Sequence, residues 1–160
     1  MEKHTSKIIF ILVVISLSIY ACLLFYLLFY DSRGAWTSMP FGEYLKYSIN
    51  VIPFKTISQY IMALFDGSMN MDIPIKNLFG NMLIFAPLGF YLPFFSKNKM
   101  TILKCIGFSC IIIILLEALQ IFTRTGSFDI DDLILNIIGV AIGFIICKRT
   151  LLKWLEYLRT

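Results

Sequence analysis

The sequence predicts an all-α polytopic membrane protein, a bundle of four transmembrane helices with amphipathic interfacial segments. Three observations lead there. Of the 160 residues, 59% are hydrophobic and only 15% are charged, against about a quarter charged in an ordinary soluble domain. A soluble domain this short buries only about two-thirds of its surface and needs polar residues for the rest. Four apolar stretches are each long enough to cross about 30 Å of hydrocarbon, and basic residues gather at their ends. The surplus of apolar side chains must face lipid. Disorder, a coiled coil and a secreted disulfide scaffold are excluded by the same arithmetic.

The chain reads as a single domain over 1–160. The first span covers 8–30, Ile8 to Tyr30, without a charge. Its basic flank, Lys3 and Lys7, raises a signal-peptide reading. The apolar run is long for a signal core, and no small-x-small cleavage site follows. Ile19-Tyr20-Ala21-Cys22 loosely matches a lipoprotein cleavage box, but cleavage there would leave the greasy Leu23–Tyr30 at the mature terminus. An uncleaved first helix is expected. Residues 31–74 are interrupted by Gly34, Pro40, Gly42, Pro53, Gly67 and Pro74. Within them Ile57, Tyr60, Ile61, Leu64 and Phe65 share one helical face, which predicts a short amphipathic helix inside an outer interfacial segment, 41–65. Trp36, Phe41, Tyr44, Tyr47 and Phe54 add rings of the kind enriched at headgroup depth.

The second span, about 75–95, holds Gly80, Pro87 and Gly89, so a kink is expected near Pro87. A basic turn with Lys97, Lys99 and Lys104 leads into the third span, about 102–122. A short turn with Arg124 and Gly126 leads into the fourth, about 130–147. In the tail, 148–159, Lys148, Arg149, Lys153 and Arg159 surround Leu151, Leu152, Trp154, Leu155 and Leu158, which predicts a C-terminal interfacial helix. Four spans put both termini on one side. Most of the Lys and Arg residues lie on that side, so the positive-inside rule places both termini in the cytoplasm of a bacterial cytoplasmic-membrane protein.

Charge and cysteine content remove other classes. The net charge of +4 comes from residues at helix ends, a mark of membrane orientation rather than of nucleic-acid binding. Cys22, Cys105, Cys110 and Cys147 each sit in an apolar run, where they act as small hydrophobes, and His4 is the only histidine. No metal site and no cofactor are expected.

The informative chemistry lies at helix ends that this topology sends outside. The third span carries Glu117, Gln120 and Arg124 at i, i+3 and i+7, one helical face. The fourth carries Asp129, Asp132 and Asn136 at the same spacing, and the second carries Asn77 and Asn81. At 1.5 Å per residue, Glu117 lies roughly 7–8 Å inside the end of its helix, and Asn81 and Asn136 lie about 9 Å inside theirs. Lipid cannot hydrogen-bond such groups, and an ionisable one costs up to a few kcal/mol unless it finds partners. The polar side chains of three spans are therefore expected to turn inward and meet, with Arg124 pairing Glu117 or the aspartates. Plainer readings compete. Interhelical Asn and Gln are often simple glue, and Asn136, Gly139 and Gly143 form a stripe that lets another backbone approach. That stripe is also a candidate homo-oligomer face. Asp129 and Asp131 read equally well as solvated turn residues, and Asp132 as a favourable charge in a helix's first turn. Glu117 has no such structural role to explain it.

Four pieces in order carry a family resemblance. They are Asn50-Val51-Ile52-Pro53-Phe54 with Lys55-Thr56-Ile57, then Asn77 through Phe90, then Glu117-Ala118-Leu119-Gln120, then Arg124 through Asp132 with Asn136 and Gly139. With them the chain resembles the VanZ-like family of bacterial integral membrane proteins over residues 50–143. The resemblance implies a link to low-level resistance to teicoplanin, a lipid-tailed glycopeptide antibiotic, by a route other than rebuilding the peptidoglycan terminus. It equally allows a housekeeping role in the cell envelope. On the binding reading, Asn77, Asn81, Glu117, Gln120, Arg124, Asp129, Asp132 and Asn136 form a ligand site for an envelope lipid or lipoglycopeptide. On the alternative, a membrane-embedded enzyme acts on a lipid-linked substrate with Glu117, Asp129 and Asp132 as acid, base or metal ligands. A transporter is the weakest reading, since the chain has no internal repeat.

The topology has a direct check. With the four native cysteines replaced, Ser127→Cys is expected to react with a membrane-impermeant thiol reagent on intact cells. Labelling only after the membrane is opened would reverse the orientation.

Overall fold

The computed structural model describes residues 2–31, 39–96 and 99–157, without the side chains of 2–6, 31 and 151–157. Expectations for Arg33, Gly34, Trp36 and Lys97, and for side chains in the tail beyond Thr150, lie outside the described residues. The chain runs as α1 (Glu2–Tyr26) with a π-helical turn at Leu27–Asp31, α2 (Phe41–Ser48), β1 (Ile49–Asn50) and α3 (Lys55–Asp66). It continues as α4 (Asp72–Phe95), α5 (Ile102–Thr123), β2 (Phe128–Asp129) and α6 (Ile130–Tyr157).

Four stretches are long and apolar enough to cross a membrane: Lys7–Tyr30, Asp72–Phe95, Ile102–Thr123 and Ile130–Thr150. The protein is an all-α, multi-pass membrane bundle. Its outward faces carry Ile8, Ile11, Ile15 and Ile19 on α1, Leu83 on α4, Ile111, Leu115 and Phe122 on α5, and Ile138, Ile142 and Ile145 on α6, all exposed. In water such a surface would be untenable, whereas acyl chains match it.

Local sequence explains the helix ends. Thr101 caps α5, its side chain accepting from Lys104 N at 3.4 Å. α5 stops where Arg124 turns left-handed (φ 56°) and its N–H bonds Ile121 O at 3.2 Å. α3 stops at Gly67 (φ 66°), whose N–H bonds Ala63 O at 3.2 Å. The tail expected as a separate helix over 148–159 instead continues α6 without a break as far as Tyr157. No Gly or Pro stands after Gly143 to interrupt it, and the ammonium of Lys148 lies 5.3 Å from the centre of the Phe144 ring one turn back.

The tightest packing is between α4 and α6. A Cβ on Gly139 would strike the carbonyl of Met82, one on Gly143 that of Ala86, and one on Gly89 that of Val140. The contacts 82 with 139 and 86 with 143 rise together, so the two helices run parallel. Without a hydrophobic drive between helices in lipid, such close approach of backbones is a main source of association. The Gly139/Gly143 face is thereby occupied inside the chain, which removes it as the homo-oligomer face read from the sequence. Phe85, Cys105, Ile113, Val140 and Phe144 form the core between α4, α5 and α6. α1 joins through Tyr20, whose hydroxyl donates to Ile84 O at 2.9 Å, and through Tyr91, whose hydroxyl donates to Ser16 Oγ at 3.1 Å.

The segment between α1 and α4 caps one end of the bundle. Ile49 and Asn50 pair in parallel with Phe128 and Asp129. The fully buried Tyr44 donates its hydroxyl to Gly126 O at 2.6 Å, and burial pushes that phenol above its usual pKa.

Gly143→Leu is expected to destabilise the purified protein by about 2 kcal/mol or more through overpacking. Gly80→Leu, where a Cβ meets nothing within 4 Å, is expected to be near neutral. Melting of both in detergent checks the pair, and equal effects would contradict the packing account.

Candidate functional site

The β2–α6 junction places three carboxylates within four positions, Asp129, Asp131 and Asp132. They do different work. Asp131 is fully buried. Its Oδ1 accepts from Phe54 N at 2.5 Å, and its Oδ2 accepts from Thr56 N at 2.7 Å and Ile57 N at 3.0 Å. The first N–H groups of a helix have no partner of their own and favour a negative charge. Asp131 thus caps α3 from a distant part of the chain. Phe54 sits left-handed (φ 62°), an unfavourable state for a non-glycine residue. The bond from its own N–H to Asp131 helps to hold it there.

Asp129 is 9% exposed and makes a second lock. Its Oδ1 accepts from Asn50 Nδ2 at 3.1 Å and Asp131 N at 2.9 Å, and its Oδ2 accepts from Thr56 Oγ1 at 2.6 Å. Asn50 Nδ2 also donates to Thr56 Oγ1 at 3.0 Å. Neither aspartate is the solvated turn residue that the sequence allowed. Asp129, expected in the ligand site, has both oxygens engaged by the chain.

The site itself is a cavity of about 220 Å³ beneath this capped end. Asn81 from α4, Glu117 and Gln120 from α5, and Asp132 and Asn136 from α6 line it, with Gly126 and Ser127. Leu27 and Leu28 of the π-helical turn, Ile84, Phe85 and Leu116 supply its apolar wall. Asn81 Nδ2 donates to Asp132 Oδ1 at 2.6 Å, and Gln120 Nε2 donates to Leu28 O at 3.1 Å. Glu117 is 7% exposed and Asn136 2%. Glu117 Oε2 and Asn136 Oδ1 are buried without a hydrogen-bond partner. An unmet buried acceptor costs about 1–3 kcal/mol, more if charged. Tyr60 of α3 feels two of the aspartates. Burial first, then Asp132 and Asp129, push its phenol above the usual value.

Two expected members lie elsewhere. Asn77 folds its amide back onto Ile73 O at 2.8 Å, on its own helix. Arg124 pairs with neither Glu117 nor the aspartates. Its Nη1 donates to Met39 O at 2.9 Å, and its guanidinium lies 5.3 Å from the centre of the Phe41 ring. The i, i+7 spacing assumed that α5 stays helical through residue 124. The left-handed turn there swings the side chain off the Glu117–Gln120 stripe. The sequence reading puts Tyr44 among the interfacial rings and Asn50 and Thr56 in the first family-like piece, but gives none of them, nor Ser127, a part in the site or its cap. The signals for Asn50 and Thr56 are that motif and their place either side of Pro53-Phe54, ahead of an amphipathic helix.

Chemically the cavity is rich in acceptors. No group of three or more His, Cys, Asp or Glu able to hold a metal occurs among the described residues. A family model described as VanZ/LLP1 matches residues 17–153 of this chain. No curated protein and no solved structure matches it.

Removing the Asp131 carboxylate leaves three α3 donors unmet, so Asp131→Ala is expected to cost about 3 kcal/mol. It should also open the 49–66 segment to proteolysis. Asp132→Asn is expected to leave that segment protected. Limited proteolysis with thermal melting distinguishes the two, and equal protection in both variants would refute the lock.

Proposed function

We propose, for a chain that belongs to the VanZ/LLP1 family, that it binds the polar head of an amphiphile in the cavity under its capped end. The observation that carries this reading is the mixed lining. Polar groups from three spans face one space whose other wall is leucine, isoleucine and phenylalanine. Ligand sites combine an apolar wall with a few convergent polar groups in this way. An amphiphile beside the bundle keeps its tail on the exposed apolar faces of the spans while its head enters among Glu117, Asp132 and Asn136. The excess of Lys and Arg at the other end of the bundle supports an orientation with the cavity in the outer leaflet of the bacterial cytoplasmic membrane and both termini inside.

Two kinds of amphiphile present such a head to the outer leaflet: envelope lipids and lipid-tailed glycopeptides of the teicoplanin type. Engaging either one shields the envelope from the drug or changes its local concentration, and susceptibility falls. The enzyme reading, with Glu117, Asp129 and Asp132 as acid, base or metal ligands, has less support, because both Asp129 oxygens are held by Asn50, Thr56 and the Asp131 N–H.

The test is expression in a teicoplanin-susceptible bacterial host. Wild type is expected to lower susceptibility. Glu117→Gln and Asp132→Asn are expected to return it to that of the host at unchanged membrane abundance, each weakening binding about tenfold, or 1.4 kcal/mol. Full protection by both variants would count decisively against the cavity as the site of action.

A further inference from the structure

We infer that the cavity recognises a primary ammonium group on its amphiphile, an inference that rests on the amphiphile reading and specifies its ligand. Glu117 Oε2 and Asn136 Oδ1 lack partners, and both residues are more than nine-tenths buried. The Asp132 carboxylate adds a second acidic wall, with Asn81 bonded to one of its oxygens. On the donor side, the Gln120 amide nitrogen is turned to Leu28 O and that of Asn81 to Asp132 Oδ1, which leaves the Asn136 amide nitrogen and the Ser127 hydroxyl, both neutral. Among the described residues, no Lys or Arg lines the cavity. Arg124, the cation expected to balance these acids, is held by Met39 O and the Phe41 ring. Two carboxyl groups and an unmet amide oxygen therefore share a space to which the described chain brings no positive charge.

The complement is a cation that donates hydrogen bonds. An ammonium carries three N–H donors for the three acceptor groups at Glu117, Asp132 and Asn136. Charge-assisted bonds of that kind are about twice as strong as neutral ones. A quaternary ammonium has no N–H to give and is held by aromatic cages, whereas Phe85 is the one aromatic among the described lining residues. A bare metal ion leaves the apolar wall without a role, and the described residues offer it no ligand cluster. Size agrees as well. At about 30 Å³ per water in the liquid, 220 Å³ corresponds to about seven waters, room for an ammonium on a short alkyl arm. The apolar wall would take the arm and the acceptors its end. The ammonium can come from an aminoalkyl phospholipid or from a soluble amine.

The test uses the full-length protein in mild detergent, with lipid retention read by native mass spectrometry. The probes are chain-matched phosphatidylethanolamine, its N-acetylated derivative, phosphatidylcholine and phosphatidylglycerol. Phosphatidylethanolamine is expected to be retained about tenfold more tightly than the other three. Glu117→Gln and, separately, Asn136→Leu are expected to abolish that preference, with melting curves showing that each variant is folded. Displacement of the lipid only by phosphatidylethanolamine assigns the membrane source. Displacement by free ethanolamine at equal concentration keeps the ammonium site and assigns a soluble source. Displacement by sodium at constant ionic strength would overturn the inference in favour of an inorganic cation. Equal retention of all four lipids, still weakened by Glu117→Gln, would overturn ammonium recognition while leaving the amphiphile site intact. Retention that neither variant alters would remove both.

Discussion

The carboxylate of Asp131 in the open N-terminus of α3 is the interaction on which the capped end depends. Three backbone donors converge on it, and the neighbouring Asp129 ties Asn50 and Thr56 to the same junction. Helix α3 has the apolar face of a membrane-surface element. Asp131 supplies the anion that its first turn lacks and sets where it begins. The β1–β2 pairing then follows, because Asn50 and Asp129 are partners in both the backbone bridge and the side-chain bond.

The lock also determines what its neighbour does. Adjacent residues on a helix point about 100° apart. With Asp131 held outward against α3, Asp132 is presented to the bundle, where Asn81 meets it at 2.6 Å. One acid is structural and the next lines a cavity, although the sequence shows only two consecutive aspartates. The glycine contacts of α4 and α6 lie just below. They bring the two helices close enough for an asparagine on one to bond an aspartate on the other. The same approach narrows the space that Glu117 and Asn136 share.

Nothing in lipid can satisfy a polar group, so a membrane bundle gathers its polar side chains inside or at its ends. In this bundle that pressure yields a cavity only partly satisfied by the chain itself. Most of its neighbours are committed: Asn81 to Asp132, Gln120 to Leu28, Tyr44 to Gly126. Glu117 Oε2 and Asn136 Oδ1 are the cavity's buried acceptors that the chain leaves without a partner. A half-satisfied buried network is costly as pure structure, which is why its unmet acceptors point to function.

By itself the sequence determined the class of fold, the four spans and the depth at which polar residues recur. Each of these follows from local composition and helical spacing, and both survive any choice of partner. Glu117, Gln120, Asp132, Asn136 and Asn81 could be grouped for the same reason, since each lies within a regular helix at a countable distance from its end. Only the tertiary structure decided the rest. Arg124 left the group because one residue turned left-handed at the end of α5, and Asn77 because its own helix offered a carbonyl. Asp131 became a lock because the start of α3, more than seventy residues earlier in the chain, brought its unpaired N–H groups to it, and Asp129 because the Asn50 amide and the Thr56 hydroxyl came with them. The Gly139/Gly143 stripe announced a close backbone contact, but its partner, α4 of the same chain, is a property of the assembled bundle. Helical periodicity is local and can be counted along a chain. Which donor finds which acceptor across the bundle depends on how the helices meet.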